Sequence, residues 1–222
     1  MFAVTGVYHR YFSHRTFKTS RWFQFALAFL AQTSAQKGVL WWAAHHRHHH
    51  KHSDSDIDTH SPVTSSMFYA HLGWLFVNQN NATDFSKIKD FAKSPELRFL
   101  NWFGLMPAIV LAVVVWWFLD WSGLLIGFFV SNSLAHVFGK KRFETGDESR
   151  NSLVLALITL GEGWHNNHHY YQSSCRQGFY WWEVDITYYI IKGLQTVGLV
   201  WDVREPPERV LKEGRLADEA AA

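Results

Sequence analysis

Cysteine is almost missing from this chain. Cys175 is the single one in 222 residues, so no disulfide can form within it, as suits a reducing compartment. Charge is sparse: Asp, Glu, Lys and Arg make up 18% of residues, little for a soluble domain, and a net charge of +2 gives nucleic acid nothing to be drawn by. Met1–Val7 is short, mildly apolar and soon interrupted by His9 and Arg10, which excludes a secretory signal there. No glycine-rich loop able to hold a flavin or nicotinamide dinucleotide occurs, and no internal repeat beyond one duplicated histidine pattern. Aromatics, by contrast, reach 17%, with 12 Trp, a residue that favours the membrane–water boundary. The length fits one domain, 1–202, followed by a charged tail, 203–222, with the composition of a disordered segment.

Histidine is abundant and grouped. The densest run is His45-His46-Arg47-His48-His49-His50, following Trp41-Trp42-Ala43-Ala44. It is internal and interrupted by Arg47, unlike a purification tag. On a helix, residues three and four apart share a face, so His46, His49 and His50 would turn three imidazoles to one side. The same H-x-x-H-H spacing recurs in His165, His168 and His169, and His9 and His14 form H-x-x-x-x-H. Neutral imidazole suits iron, copper, zinc and nickel. With Asn132 and His136 the set exceeds what one ion can use, so the count suggests two. Asp54, Asp56 and Asp58 alternate just after the central run and could accept hydrogen bonds from ligating histidines.

Hydropathy adds a membrane. Phe99–Leu119 carries no charge and is long enough to span a bilayer as one helix, with Pro107 as a possible kink. Asp120-Trp121-Ser122-Gly123 reads as a tight turn, and Trp121–Phe138 as the returning span of a transmembrane hairpin over about 99–138. Lys87, Lys89, Lys93 and Arg98 flank one end and Lys140, Lys141 and Arg142 the other, which places both ends in the cytoplasm. His136 then lies at the cytoplasmic end of the second span, on one helix face with Asn132. Shorter apolar stretches, Trp22–Ala31, Met67–Val77 and Val184–Trp201, read as interfacial or re-entrant helices, and a short helix is expected near Phe85–Ala92. The expected fold is an all-α membrane protein: a helical hairpin, interfacial amphipathic helices and a cytoplasmic histidine-rich cap.

HRYFSH, HHRHHHKHSDSD and GEGWHNNHH, in this order and spacing, resemble the three histidine boxes of the membrane fatty-acyl desaturases. NSLAH, with Asn132 and His136, looks like the extra Asn and His of the acyl-CoA type, of which the stearoyl-CoA delta-9 enzymes are the pattern. The resemblance runs from about Thr5 to about Trp201. Relatives carry a membrane hairpin before the first box, which this sequence would lack.

The resemblance implies two iron ions. His9, His14, His46, His50 and His168 would hold one; His49, His136, His165 and His169 would hold the other, with Asn132 acting through water. Zinc would bind the same nitrogens as a substitute in purified protein, but it is redox-silent. The implied reaction is O2-dependent insertion of a cis double bond into a saturated fatty acyl-CoA. Two electrons would come from a ferredoxin or a b-type cytochrome with its reductase. Arg15, Lys18 and Arg47 are candidates for holding substrate phosphates. Trp41, Trp42, Phe129 and Trp164 are candidates for walling the acyl chain. The rivals are an acyl-lipid desaturase or an alkane or lipid hydroxylase on the same scaffold, and a non-catalytic membrane metal-binding or transport protein.

Overall fold

The computed structural model describes residues 1–71, 73–126 and 139–220. It is mostly helical. The expected helix over Trp22–Ala31 is α1 (Arg21–Gln32), whose first turn is capped by the Ser20 hydroxyl accepting from the Phe23 N–H. The central histidine run lies on α2 (Val39–His52). Gln32 is buried and ties these elements together. Its amide donates to the carbonyls of Leu100 and Gly104, and its oxygen accepts from the Val39 N–H. The Asn101 oxygen accepts from the Trp41 N–H, another free donor of the first turn of α2.

Ala3–Ser13 forms a π-helix, which sequence reading does not anticipate. Its ladder reaches the histidines, since the His14 N–H donates to the His9 carbonyl at 3.2 Å. In an α-helix, positions five apart diverge by about 140°. The wider π turn brings His9 and His14 to one face, so the five-residue spacing was itself the local signal. Arg47 on α2 donates to the carbonyls of Phe12 and Ser13 and so satisfies the end of the π-helix.

The core is built where the π-helix, α1 and α2 meet α4 (Pro95–Trp102). Val7, Tyr8, Phe12, Leu40, Leu97 and Leu100 are fully or almost fully buried in it. Ala28, Ala31, Ala43 and Ala44 keep the helix axes close.

Several expectations are corrected. Phe99–Leu119 is not one straight helix. α4 ends at Trp102, and α5 (Met106–Ile126) starts after a break, the two being bent by 69°. Pro107 sits in the first turn of α5, where its missing N–H costs no bond, so the bend precedes it. The turn expected at Asp120–Gly123 lies inside α5: one interior glycine costs only about 1 kcal/mol, too little to stop an apolar helix. Among the described residues no single helix is long and apolar enough to cross a membrane, while the bent pair Pro95–Trp102 and Met106–Val114 passes that test together. This pair exposes a contiguous apolar band that includes Phe99, Phe103, Leu105, Ile109 and Val113, with Trp102 at 85% exposure, a surface suited to lipid. The rest of the expected returning span, 127–138, lies outside the described residues, and with it Phe129, Asn132 and His136.

Met67–Val77 is not one helix but α3 (Met67–His71) and a 3-10 turn at Gly73–Phe76, and the short helix near Phe85 is another 3-10 turn, Phe85–Ile88. The chain is not purely α. The expected helix over Val184–Trp201 is confined to α8 (Ile186–Thr196), capped at its start by Asp185. Gly198 then turns at φ +73°, and β2 (Val200–Trp201) pairs antiparallel with β1 (Lys18–Thr19). The tail is not disordered throughout. It contains α9 (Glu208–Ala220), with Val210 fully buried and Gly214 against Tyr180 and Phe143. Arg142 pairs with Asp218, and the Tyr170 hydroxyl donates to Glu213. One buried apolar side chain and a glycine facing aromatics suffice to dock an otherwise charged helix, and neither stands out in composition.

Candidate metal centre

The third histidine group lies on α7 (His165–Tyr170), preceded by α6 (Leu153–Ile158). Its entry is tightly specified. The Ser152 N–H donates to the Gly163 carbonyl at 2.7 Å. A Cβ on Gly163 would collide with the Ala156 nitrogen and the Ser152 carbonyl, both backbone. Gly163→Ala should therefore cost about 1–3 kcal/mol by overpacking. A lower thermal midpoint in purified protein checks this, and an unchanged midpoint would contradict it.

α7, α2 and the π-helix bring five imidazoles together. One ring nitrogen from each of His9, His14, His46, His50 and His168 lies within 4.8 Å of all the others. The Nε2 atoms of His9 and His168 are 2.8 Å apart, those of His46 and His50 3.0 Å, and those of His50 and His168 3.1 Å. Adjacent nitrogens bound at about 2.1 Å to one ion sit about 3 Å apart, so this spacing fits a shared transition metal. The buried Nε2 of His14 has no hydrogen-bond partner among the described residues, a cost a metal bond would remove.

A second group adjoins the first. His165 and His169 rings are 4.3 Å apart, His49 and His169 5.7 Å, and His50 and His169 4.5 Å. His49 lies between the two sets, its ring 5.5 Å from His50, 5.9 Å from His46 and 5.7 Å from His169. His49, Asp58 and His60 form a further compact set of possible ligands.

Three carboxylates back the histidines. Glu162 pairs closely with His9 Nδ1. Asp58 accepts from His49 Nδ1 at 2.8 Å, and Asp147 accepts from His169 Nδ1 at 2.6 Å. An ionised carboxylate can only accept, so an Nδ1 facing one carries a proton and the Nε2 is the nitrogen left for a metal. Burial pushes Asp58 up, but the His49 hydrogen bond and nearby imidazole charge outweigh it and bring the pKa down to about 2. Asp147 is held far below the carboxylate range: burial opposes this, but His169 and Ser149 override it. Of the three aspartates singled out after the central run, Asp58 meets a histidine ring. Asp54 accepts from Ser61 and the Glu148 N–H instead. Asp147 and Glu162 escape sequence reading. Asp147 stands far from His169 in the chain, and Glu162 had no pattern beyond its place in the third box.

His14, His46, His50 and His168 are held well below the ordinary 6.5, first by burial and then by neighbouring imidazole charge. They are neutral, the form that binds metal. Their folded values lie below the unfolded one. Stability is therefore fully present above pH 6.5 and declines as pH falls from there towards the folded values. Metal-free protein is expected to melt at a lower temperature at pH 5.5 than at pH 8, and equal midpoints would refute this.

The candidate substrate residues are placed differently. Arg15 and Arg47 pair with Asp90, and Lys18 with Asp202. Arg47 is spent on backbone carbonyls as well. Trp41 is mostly buried, stacks on Trp74 at 5.0 Å, donates its N–H to the Asn80 carbonyl and lines an apolar cavity of about 560 Å³. Trp42 stacks on His46 at 4.6 Å, beside the five-histidine group. Trp164 donates its N–H to the Val184 carbonyl.

The fatty acid desaturase family profile matches residues 1–198. The chain is 35% identical over 223 residues to a palmitoyl-monogalactosyldiacylglycerol delta-7 desaturase, chloroplastic, of Arabidopsis thaliana, covering 94% of this chain and 60% of that protein. It is 34% identical over 213 residues to an sn-1 stearoyl-lipid 9-desaturase of Anabaena variabilis, covering 90% of this chain and 78% of that one. It is also 34% identical over 223 residues to an acyl-CoA C20 Delta5-desaturase of Anemone leveillei, covering 94% and 71%.

Proposed function

Given that this chain belongs to the fatty acid desaturase family, we propose that it inserts a cis double bond into a saturated fatty acyl chain, using O2 and two electrons from an external carrier. The balanced reaction is –CH2–CH2– + O2 + 2 electrons + 2 protons → –CH=CH– + 2 water. The observation that carries it is the convergence of five imidazole nitrogens on one point, with a second histidine group alongside. Two iron ions, when bound, would supply O2 activation and the oxidising power that an unactivated alkyl chain demands.

His9, His14, His46, His50 and His168 would hold one ion. His49, His165 and His169 would hold the other, together with His136 and, through water, Asn132. Glu162, Asp58 and Asp147 keep protons on the far ring nitrogens and lend negative charge to otherwise neutral ligand sets. Trp42, stacked on His46, would help exclude water from the oxidant. We place the protein in the membrane as a multi-pass chain with its metal site on the cytoplasmic side. The support is the lysine and arginine bias at both ends of the apolar region and the exposed apolar band of α4 and α5.

The acyl carrier has two readings. NSLAH resembles the acyl-CoA type, and one of the relatives is named for acyl-CoA. A glycerolipid carrier is favoured by a specific observation: Lys18 and Arg47, two of the cations proposed for CoA phosphates, already pair with Asp202 and Asp90. Two relatives are named for lipid-bound chains. The test is expression in a host with a known fatty-acid profile, with and without the chain, under labelled stearate. New cis-monoenoic acid is expected, and the pool that first carries label, acyl-CoA or glycerolipid, decides the carrier. Hydroxylated product would reject desaturation. Retained metal without new product or O2 use would support a metal-binding protein.

A further inference from the structure

We infer that the cleft over His14 and His50 is the docking site for an acidic electron-carrier protein. The inference rests on the desaturase reading, which needs electrons from outside. The cleft is open to solvent, holds about 350 Å³, and has His14, His50, Arg47, Lys51, Gln172 and Ser173 in its lining. Its floor therefore includes two members of the five-histidine group. A protein seated here would bring its redox centre within a few side chains of that group.

The rim is cationic. Lys51 is exposed and forms no ion pair among the described residues. Arg204 is exposed, and its backbone N–H donates to the Thr16 carbonyl at 2.9 Å, which sets it beside the segment that follows His14. Arg15 is half exposed, and its contact with Asp90 is long, at 3.3 Å. Asp90 offsets one of these charges and is itself shared with Arg47, while Asp202 and Glu205 beside Arg204 pair with Lys18 and Lys192. A rim of net positive charge steers an acidic partner and raises its rate of encounter.

The other anion such a rim could hold is a substrate phosphate. The cleft is polar, however, and the apolar cavity of the described residues, about 560 Å³ and lined by Trp41, Leu105, Met106 and Ile109, shares no lining residue with it. Among the described residues, a phosphate seated over His14 would lie apart from that apolar cavity.

The test uses metal-loaded full chain in lipid nanodiscs, with an oxidised acidic plant-type [2Fe–2S] ferredoxin as the probe. Lys51→Glu with Arg204→Glu is expected to weaken ferredoxin binding by about tenfold at low ionic strength, with the difference shrinking near 0.5 M salt. The double Gln variant should lose less, which separates charge from misfolding. In turnover, KM for ferredoxin should rise while kcat at saturating ferredoxin holds. Equal binding by all forms at low salt would overturn the proposal. So would unchanged ferredoxin binding with a raised KM for acyl-CoA alone, since the cleft would then seat substrate. A wild type that makes no unsaturated product with saturating ferredoxin refutes the desaturase reading, while the binding comparison still decides the docking.

Discussion

His50→Ala is expected to reduce unsaturated product at least a hundredfold and to lower the metal bound per chain. His50 is the hub of the first group: its Nε2 meets His46 Nε2 at 3.0 Å and His168 Nε2 at 3.1 Å, linking α2 to α7. Removing it would take one ligand from the proposed ion and widen the cleft between the two helices. The control lies two residues away. His48 belongs to the same run, but its ring meets the Ile57 carbonyl at 3.0 Å, away from the group. His48→Ala should keep product within a few fold and keep its metal. Fatty-acid profiles of host membranes and metal-to-protein ratios on purified protein provide the readout. If both variants behaved alike, the histidine run would be acting as a surface feature and the metal assignment would fail.

Asp147→Asn carries the second large effect, a loss of about 10- to 100-fold in metal affinity or turnover. Asp147 is buried and accepts from His169 Nδ1, while Thr145 and Ser149 hold the carboxylate in place. An amide can offer its N–H to Nδ1 as readily as its oxygen. The ring could then carry its proton on Nε2, where a metal must bind. Asp147→Ala should be at least as damaging, whereas Asp56→Asn, an exposed member of the acidic stretch after the central run, should be near neutral. Metal titration separates this from folding damage: the Asn variant should still fold and bind metal at higher concentration. Wild-type affinity in Asp147→Asn would remove Asp147 from the site.

Much of this centre is legible in the sequence because ligand spacing is local. Helix geometry alone pairs His46 with His50 and His165 with His169, and the five-residue gap from His9 to His14 fits the turn of a π-helix. The corrections arise where a local rule competed with packing. Phe99–Leu119 looks like one span because charge is absent throughout, and the kink expected at Pro107 instead falls before it, as a 69° bend between Trp102 and Met106. The tail looks disordered because it is charged, yet Val210 and Gly214 find a surface made by Phe143 and Tyr180, residues remote in sequence.

The sequence by itself determined the metal-binding chemistry, the family and the apolar region, since each depends on residue type and on spacing within a turn or a span. Only the tertiary structure decided that His49 meets Asp58 and nears His169 of α7, and that Asp147 and Glu162 anchor histidines far along the chain. It also decided that Arg15, Lys18 and Arg47 are engaged by acids. The reason is physical. Hydrogen bonds and ion pairs act over about 3 Å of space, and which groups come that close is set by how helices pack, which no local pattern contains.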